Sequence, residues 1–122
     1  MITEDHVSFE TAKLLNIKGF EGEFHKHYWG FIPGKEFLTD SSFDPEYDYP
    51  APTLQMAMKW LREVYRLSIE PYYDLVLSWV VDVKHIGKHT DTKEFEEVRS
   101  QSYNSYEQAC EVAIKYCLEN LI

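Results

Sequence analysis

Two histidines that lie close together are the side chains in this chain best suited to metal chemistry. His25 and His27 are separated by one residue in a segment that we predict to be a strand, so both should point to one face. Such a pair can chelate Zn²⁺ or Ni²⁺, and His85 or His89 could supply a third ligand. Two histidines at this spacing can occur in any strand, so the spacing is weak evidence for a metal site. A polar strand edge is the favoured interpretation. We therefore predict no metal ligand.

Carboxylates are concentrated in the segment DSSFDPEYDYP, residues 40–50. Asp40, Asp44, Glu46 and Asp48 are of the ligand type that Ca²⁺ prefers. The segment lacks the glycine and the regular alternation of an EF-hand loop, and Pro45 interrupts it. The composition predicts a solvated loop, with a calcium site as the disfavoured alternative.

Motifs of known catalytic sites are missing from the sequence: there is no glycine-rich phosphate loop, Gly-x-Ser-x-Gly, His-Glu-x-x-His or Cys-x-x-Cys. Cys110 and Cys117 fall on one predicted helix at a separation of about 10 Å. A disulfide needs Cα atoms within about 7 Å, so we expect two free thiols. Both lie on the predicted core face with Tyr106, Ala113 and Leu121, which argues against a nucleophile. We predict no catalytic residue and no cofactor, and a small enzyme of unrecognised type remains an alternative.

The helix predicted over residues 52–65 carries the most pointed feature of the sequence. Met56 and Trp60 lie one turn apart outside the core-facing stripe, with Lys59 and Arg62 beside them. Trp, Met and Arg are enriched in the cores of protein interfaces. Met56, Lys59, Trp60 and Arg62 are therefore predicted to form an interface with a second copy or with a protein partner. The alternative is that another segment of the same domain covers them.

The core-facing stripe itself follows the i, i+3, i+4, i+7 spacing and comprises Leu54, Ala57, Met58, Leu61, Val64 and Tyr65.

Three cations on this helix form a smaller cluster. Lys59, Arg62 and Arg66 project away from the core-facing stripe. They could hold a phosphate or an acidic peptide. An ordinary solvated face is the favoured interpretation.

Composition narrows the class of protein. The chain has 122 residues, 44% of them hydrophobic and 27% charged, which predicts one globular domain over residues 1–122. Twelve Lys and Arg against 21 Asp and Glu give a net charge of −9, which argues against binding to nucleic acid or to an anionic membrane. An acidic decoy for a DNA-binding protein is an alternative, but the acids are spread over every segment. The favoured function is a non-catalytic interaction or accessory protein.

The sequence shows neither a signal peptide nor a membrane span, and this predicts its cellular location. The opening MITEDHVSFE has no apolar core and predicts no signal peptide. No apolar stretch approaches the roughly 20 residues of a membrane span. With unpaired cysteines, the chain is expected to be cytoplasmic.

The elements that must position these residues predict an α+β fold: an antiparallel sheet with about three helices packed on it, in the order α-β-β-α-β-β-β-α. Capping signals place helices at 8–18 and from Ser105, where Gln108 completes a capping box. Pro52, in the first turn, opens the helix predicted at 52–65. Aromatic and alternating segments predict a hairpin and then a three-stranded meander. The predicted strands cover residues 24–32, 35–39, 67–73, 75–85 and 95–100, with Asp74 at a turn.

Three segments resemble sequences of a known group. They are VSFETAKLLNIKGF at 7–20, YPAPTLQMAMKWLREVYRLSI at 49–69 and SYEQACEVAIKYCLENLI at 105–122. All three are similar to small uncharacterised proteins of prophages and mobile elements in gut anaerobic bacteria. The resemblance leaves out residues 21–48 and supplies no catalytic residues. It implies an accessory protein from a phage-derived gene cluster.

Overall fold

The computed structural model describes residues 4–91 and 93–122, and its helices and strands confirm the α+β class. The first three residues of the segment assessed for a signal peptide lie outside these ranges. No helix in the described part of the chain is long and apolar enough to cross a membrane. In chain order the elements are α1 (Phe9–Ile17), β1 (Lys26–Trp29), β2 (Phe37–Thr39), β3 (Tyr49–Ala51), α2 (Leu54–Val64), β4 (Leu67–Asp74), β5 (Ser78–His85), α3 (Glu96–Arg99) and α4 (Tyr106–Asn120).

The strands are antiparallel, as predicted, and they are divided between two sheets. One sheet has the order β2-β1-β3. The other is the hairpin β4-β5, paired continuously from Leu67 opposite His85 to Asp74 opposite Ser78. The hairpin turn is therefore formed by residues 75–77, directly after the predicted turn position.

Helices α1 and α4 begin at the predicted caps Ser8 and Ser105, whereas α2 begins two residues later than predicted, after the cap Thr53. The side-chain oxygens of Ser8, Thr53 and Ser105 each accept a hydrogen bond from the backbone N–H three residues further on. Since Thr53 is the cap of α2, Pro52 lies just before this helix and not in its first turn. The side chain of Gln108 reaches back, but it accepts from the N–H of Asn104.

Helix α4 lies at the centre of the molecule, in contact with α1, α2, α3 and both strands of the β4–β5 hairpin. Cys110, Ala113 and Cys117 are fully buried, which confirms the predicted core face. Tyr106 is only half-buried and Leu121 is exposed, because they lie at the two ends of the helix. The same face also buries Ala109, Ile114 and Leu118.

Two elements differ from the prediction. Glu96–Arg99 form a helical turn, α3, with Phe95 and Ser100 as its caps, so the predicted third strand of the meander over 95–100 is wrong. Phe95 and Val98 are both buried at i, i+3 spacing, which a strand could not achieve on one face. The predicted loop at 40–50 ends in strand β3, whose pairing with β1 includes Pro50 opposite His27.

Candidate interaction surface

The patch predicted on α2 lacks its exposed aromatic centre. Trp60 is only 7% exposed, so the prediction that it lies outside the core is wrong. The rings of Phe20 and Tyr65 pack edge-on against it at centroid distances of 5.3 and 5.2 Å. The chain that follows α1 therefore covers this side of α2. This is the alternative in which the same domain covers Trp60.

The other members of the predicted interface surround that buried tryptophan. Met56 is half-buried, and Lys59 and Arg62 are exposed. Val64 was predicted on the core face, but its side chain is 55% exposed. Met56, Lys59, Trp60 and Arg62 consequently offer a mainly polar surface without an exposed apolar centre.

The two candidate metal-binding histidines lie in different environments. Strand β1 begins at Lys26, so His25 precedes the strand and lies exposed beside Glu23. His27 is buried, and its Nε2 lies 3.4 Å from Oδ2 of Asp48 without forming a hydrogen bond. His85 pairs instead with Glu94, at the far end of β5. Among the described residues, no three His, Cys, Asp or Glu side chains are grouped as a metal site.

Asp48 differs from the rest of the predicted solvated loop because it is buried. Its carboxylate accepts hydrogen bonds from the backbone N–H groups of Gly30 and Asp44, at 3.2 and 2.9 Å. These bonds hold the loop against β1. Asp40, Asp44 and Glu46 are exposed, as predicted.

The cysteines are free and buried. Burial raises the pKa of the Cys110 thiol to about 11 and that of the Cys117 thiol to about 12. Both therefore stay protonated at neutral pH and are poor nucleophiles.

The two most exposed large apolar residues of the described chain, Leu75 and Val76, lie with Leu77 in the turn between β4 and β5. Leu75 is 93% exposed, Val76 90% and Leu77 56%. Oδ1 of Asp74 accepts hydrogen bonds from the N–H groups of Val76 and Leu77, at 2.8 and 2.9 Å. These bonds lower the pKa of Asp74. Ser78, with φ of 76°, completes a turn of defined shape that presents apolar side chains to solvent.

Two tyrosines extend this surface along β4. Tyr72 and Tyr73 are exposed, and together with Leu75, Val76 and Leu77 they form what we call the hairpin tip. The hairpin is anchored by a series of edge-on ring contacts from Tyr73 to Trp79 and from Trp79 to Tyr106. Asp74 is the only charged residue between positions 71 and 81, and its carboxylate is engaged by backbone groups. The tip is therefore apolar and firmly attached to α4.

A second group of exposed apolar side chains belongs to the β1–β2 hairpin. The rings of Trp29 and Phe37 stack on each other, and Phe31 packs edge-on against Tyr47. These aromatic rings cover part of one another's surface. The leucine and valine side chains of the hairpin tip have no such cover, so the tip is the stronger candidate.

The sequence contained a signal for this tip that the strand assignment missed. The alternation over the predicted strand 75–85 would place Leu75 and Leu77 on one face with Trp79, Val81 and Val83, but both leucines lie in the exposed turn. The run Leu75-Val76-Leu77 breaks the apolar–polar alternation, and an aspartate stands directly before it. Aspartate favours turns because its side chain bonds to the backbone that follows.

Comparison of the chain with protein-family models, with curated proteins and with solved structures gave no match.

Proposed function

We propose that this protein is a non-catalytic interaction module that inserts its hairpin tip into an apolar groove of a partner protein. The observation that carries the proposal is the exposure of Leu75, Val76 and Leu77 on a turn fixed by Asp74. Large exposed apolar side chains in contiguous groups are typical of interaction sites.

Burial of the tip would provide the binding free energy. A leucine or valine side chain contributes about 1.5–3 kcal/mol when it passes from water into an apolar environment. The bonds of Asp74 keep the turn ordered before binding, so less conformational entropy is lost on association.

The partner contacts the side chains of the hairpin tip and does not add a strand to the β4–β5 hairpin. β4 contains Pro71, which has no N–H to donate to an added strand. A protruding turn instead needs a concave acceptor. Pro71 therefore favours a groove in the partner over pairing along the edge of the hairpin.

Charge and size favour a different protein over a second copy. Two copies would each carry a net charge of −9 and repel each other, whereas a groove with a basic rim would attract the chain. A standard interface takes about 20–30 residues from each side, many more than the tip provides. A small tip in a deep groove is consistent with a transient complex.

The test compares two exposed valines. A photo-crosslinking amino acid is placed at Val76 or, as control, at Val64 of α2, which is exposed but distant in sequence. Discrete adducts are expected from position 76 only. The adduct protein is then purified, and its affinity is measured for the wild type, Val76→Asp and Val64→Asp. Val76→Asp should weaken binding by about tenfold or more, because a charge would enter the groove.

Three outcomes would overturn the proposal. Formation of the same adducts from positions 76 and 64 would show that the tip is not the binding site. Dimerisation of the wild type that Val76→Asp abolishes would assign the tip to self-association. Co-sedimentation with zwitterionic lipid vesicles, lost in Val76→Asp, would assign it to a membrane surface.

The origin and location belong to this proposal as well. The resemblance of residues 7–20, 49–69 and 105–122 to prophage proteins supports a role as an accessory protein of a phage-derived gene cluster. The two unpaired thiols support a cytoplasmic location. No specific observation favours an enzyme or an acidic decoy.

A further inference from the structure

Positive side chains are gathered around one cavity at the end of β5, although the protein is strongly acidic. The cavity has a volume of about 320 Å³ and no carboxylate among its lining residues. Its walls are Lys84, His85, Lys88, His89, Thr90 and Arg99. We call this cavity the cationic cleft. Every one of its lining side chains can donate a hydrogen bond.

Two side chains of the cleft pair with carboxylates that do not line it. Arg99 forms an ion pair with Asp82, from Nε to Oδ1 at 2.6 Å, and its Nη1 donates to the carbonyl of Glu94 at 3.3 Å. The side chain of Glu94 is 2.5 Å from Nε2 of His85. Nη2 of Arg99 has no hydrogen-bond partner in the described ranges. The guanidinium is thus fixed in place with one donor group still available.

The lysines of the cleft also keep donors for a ligand. Nζ of Lys84 is 3.6 Å from Glu70 and 3.8 Å from Asp82, too far for hydrogen bonds to either carboxylate. Lys88 and His89 have no ion-pair partner within residues 4–91 and 93–122. Repulsion among the positive charges of Lys84, Lys88 and Arg99 would fall if an anion bound between them.

The backbone around the cleft is held in an unusual conformation. Thr90 Oγ1 accepts a hydrogen bond from the N–H of His85 at 2.9 Å, which ties the following loop back to β5. Phe95 has a φ of 61°, in the left-handed region that disfavours a bulky residue, and its ring packs on His85. Strain of this kind is concentrated at functional sites.

A second cavity, of about 430 Å³, shares His85 and Lys88 as walls with the cationic cleft. Its other walls are largely apolar and include Tyr65, Ile86 and Leu121. Arg66 adds one more cation there, again with a left-handed φ of 57°. A ligand held by the shared wall residues can therefore place an apolar group beside its charge.

We infer that the cationic cleft binds the phosphate group of a phosphate monoester, whose organic part occupies the adjacent apolar cavity. A phosphate dianion offers acceptor oxygens for Arg99, Lys84 and Lys88, and guanidinium and ammonium groups are its usual protein partners. This site is separate from the hairpin tip and does not depend on the proposed docking function.

The test uses inorganic phosphate and phenyl phosphate as probes, with ionic strength kept constant by NaCl. Amide chemical shifts are followed by NMR, and affinities are measured by calorimetry. Saturable shifts are expected at residues 84–90 and around Arg99, and phenyl phosphate should bind more tightly than inorganic phosphate. Lys88→Gln should weaken phenyl phosphate binding by about tenfold. Lys35→Gln, at an exposed lysine of the β1–β2 hairpin, should leave it unchanged.

Each contrary result bears on a defined part of this inference. Absence of saturable shifts at millimolar phenyl phosphate, or equal affinity in Lys88→Gln and wild type, would overturn the site. Equal affinities for the two probes would overturn the apolar part and assign free phosphate as ligand. Matching thermal melts of the variants and the wild type show that folding is intact, and Val76→Asp should keep full phosphate binding.

Discussion

The environment of Trp60 decides whether this residue belongs to an interface or to the core. Replacement by alanine should lower the free energy of unfolding by about 3–5 kcal/mol, because a large buried ring is removed from between Phe20 and Tyr65. Phe31→Ala is the control, since that ring is exposed and should contribute much less. Urea denaturation of both variants measures the difference. A folded Trp60→Ala protein of unchanged stability would contradict the buried position.

The two thiols give a second prediction at this scale. Because Cys110 and Cys117 are fully buried and protonated at neutral pH, neither should react with a thiol reagent in the native protein within minutes. Both should react at once in denaturant. Rapid modification of one thiol under native conditions would show that the α4 register is wrong.

The raised pKa of Cys117 also predicts how stability changes with alkaline pH. In the unfolded chain a thiol ionises near pH 8.5, whereas the folded value is about 12. Folding therefore favours the protonated form, so the contribution of this group is complete below about pH 8.5. It is lost progressively as the pH rises toward 12. The free energy of unfolding, measured by denaturation between pH 8 and 10, should decrease less steeply with pH for Cys117→Ala than for the wild type. Equal dependence on pH in the two proteins would contradict this assignment.

The candidate sites, which were predicted from residue types alone, were predicted less well than the helices. The buried position of Asp48 and the different environments of His25 and His27 depend on where β1 begins, and no spacing in the sequence reveals that. The exposure of Val64 likewise depends on what covers the end of α2. Side-chain type narrows the chemistry that a residue can perform, but neighbours from distant segments decide whether it is exposed.

At the scale of elements, α1 and α4 are joined by a carboxylate. Oε1 of Glu111 accepts hydrogen bonds from the N–H of Ser8 and the hydroxyl of Thr11, at 2.9 and 2.8 Å. Ser8 is the cap of α1, so the negative charge lies at the positive end of that helix dipole. Glu111 therefore satisfies and stabilises the first turn of α1.

Glu111→Ala should consequently destabilise the protein by about 1–3 kcal/mol, since it leaves the buried hydroxyl of Thr11 without this acceptor. Glu119→Ala is the matched control on α4, because that carboxylate is exposed. Urea denaturation and hydrogen exchange of the α1 amides measure the effect. A similar loss in both variants, without faster exchange in α1, would refute the coupling.

The helices with strong local signals were predictable, and the short elements were not. Caps at Ser8 and Ser105 gave the starts of α1 and α4, because a cap depends on neighbouring residues only. β3 contains Pro50 and exists through its pairing with β1, which brings distant segments together. In α3 the i, i+3 burial of Phe95 and Val98 was present as a spacing, but one turn is too short to distinguish helix from strand.

At the scale of the whole molecule, the division into one core and two sheets is set by packing around α4. This helix contacts the other helices and the β4–β5 hairpin, and the side chains of all these elements join in a single cluster. A sequence gives the number of strands more readily than their pairing, because pairing depends on how distant segments approach one another. The exposed hairpin tip and the cationic cleft both follow from this arrangement.

The molecule should unfold reversibly at the same temperature with and without EDTA. The core cluster consists of apolar side chains drawn from every helix and from the β4–β5 hairpin, so hydrophobic burial provides the main driving force. His27 is enclosed by Asp48 and the ring of Phe43, and His25 lies outside that enclosure. The melts should be recorded in a buffer free of phosphate, because a ligand of the cationic cleft would raise the melting temperature by binding only the native state. Coinciding melts are expected by circular dichroism, with recovery of the signal on cooling. A fall of more than a few degrees in EDTA would show that a bound ion contributes to folding and would favour the alternative in which His25 and His27 are metal ligands.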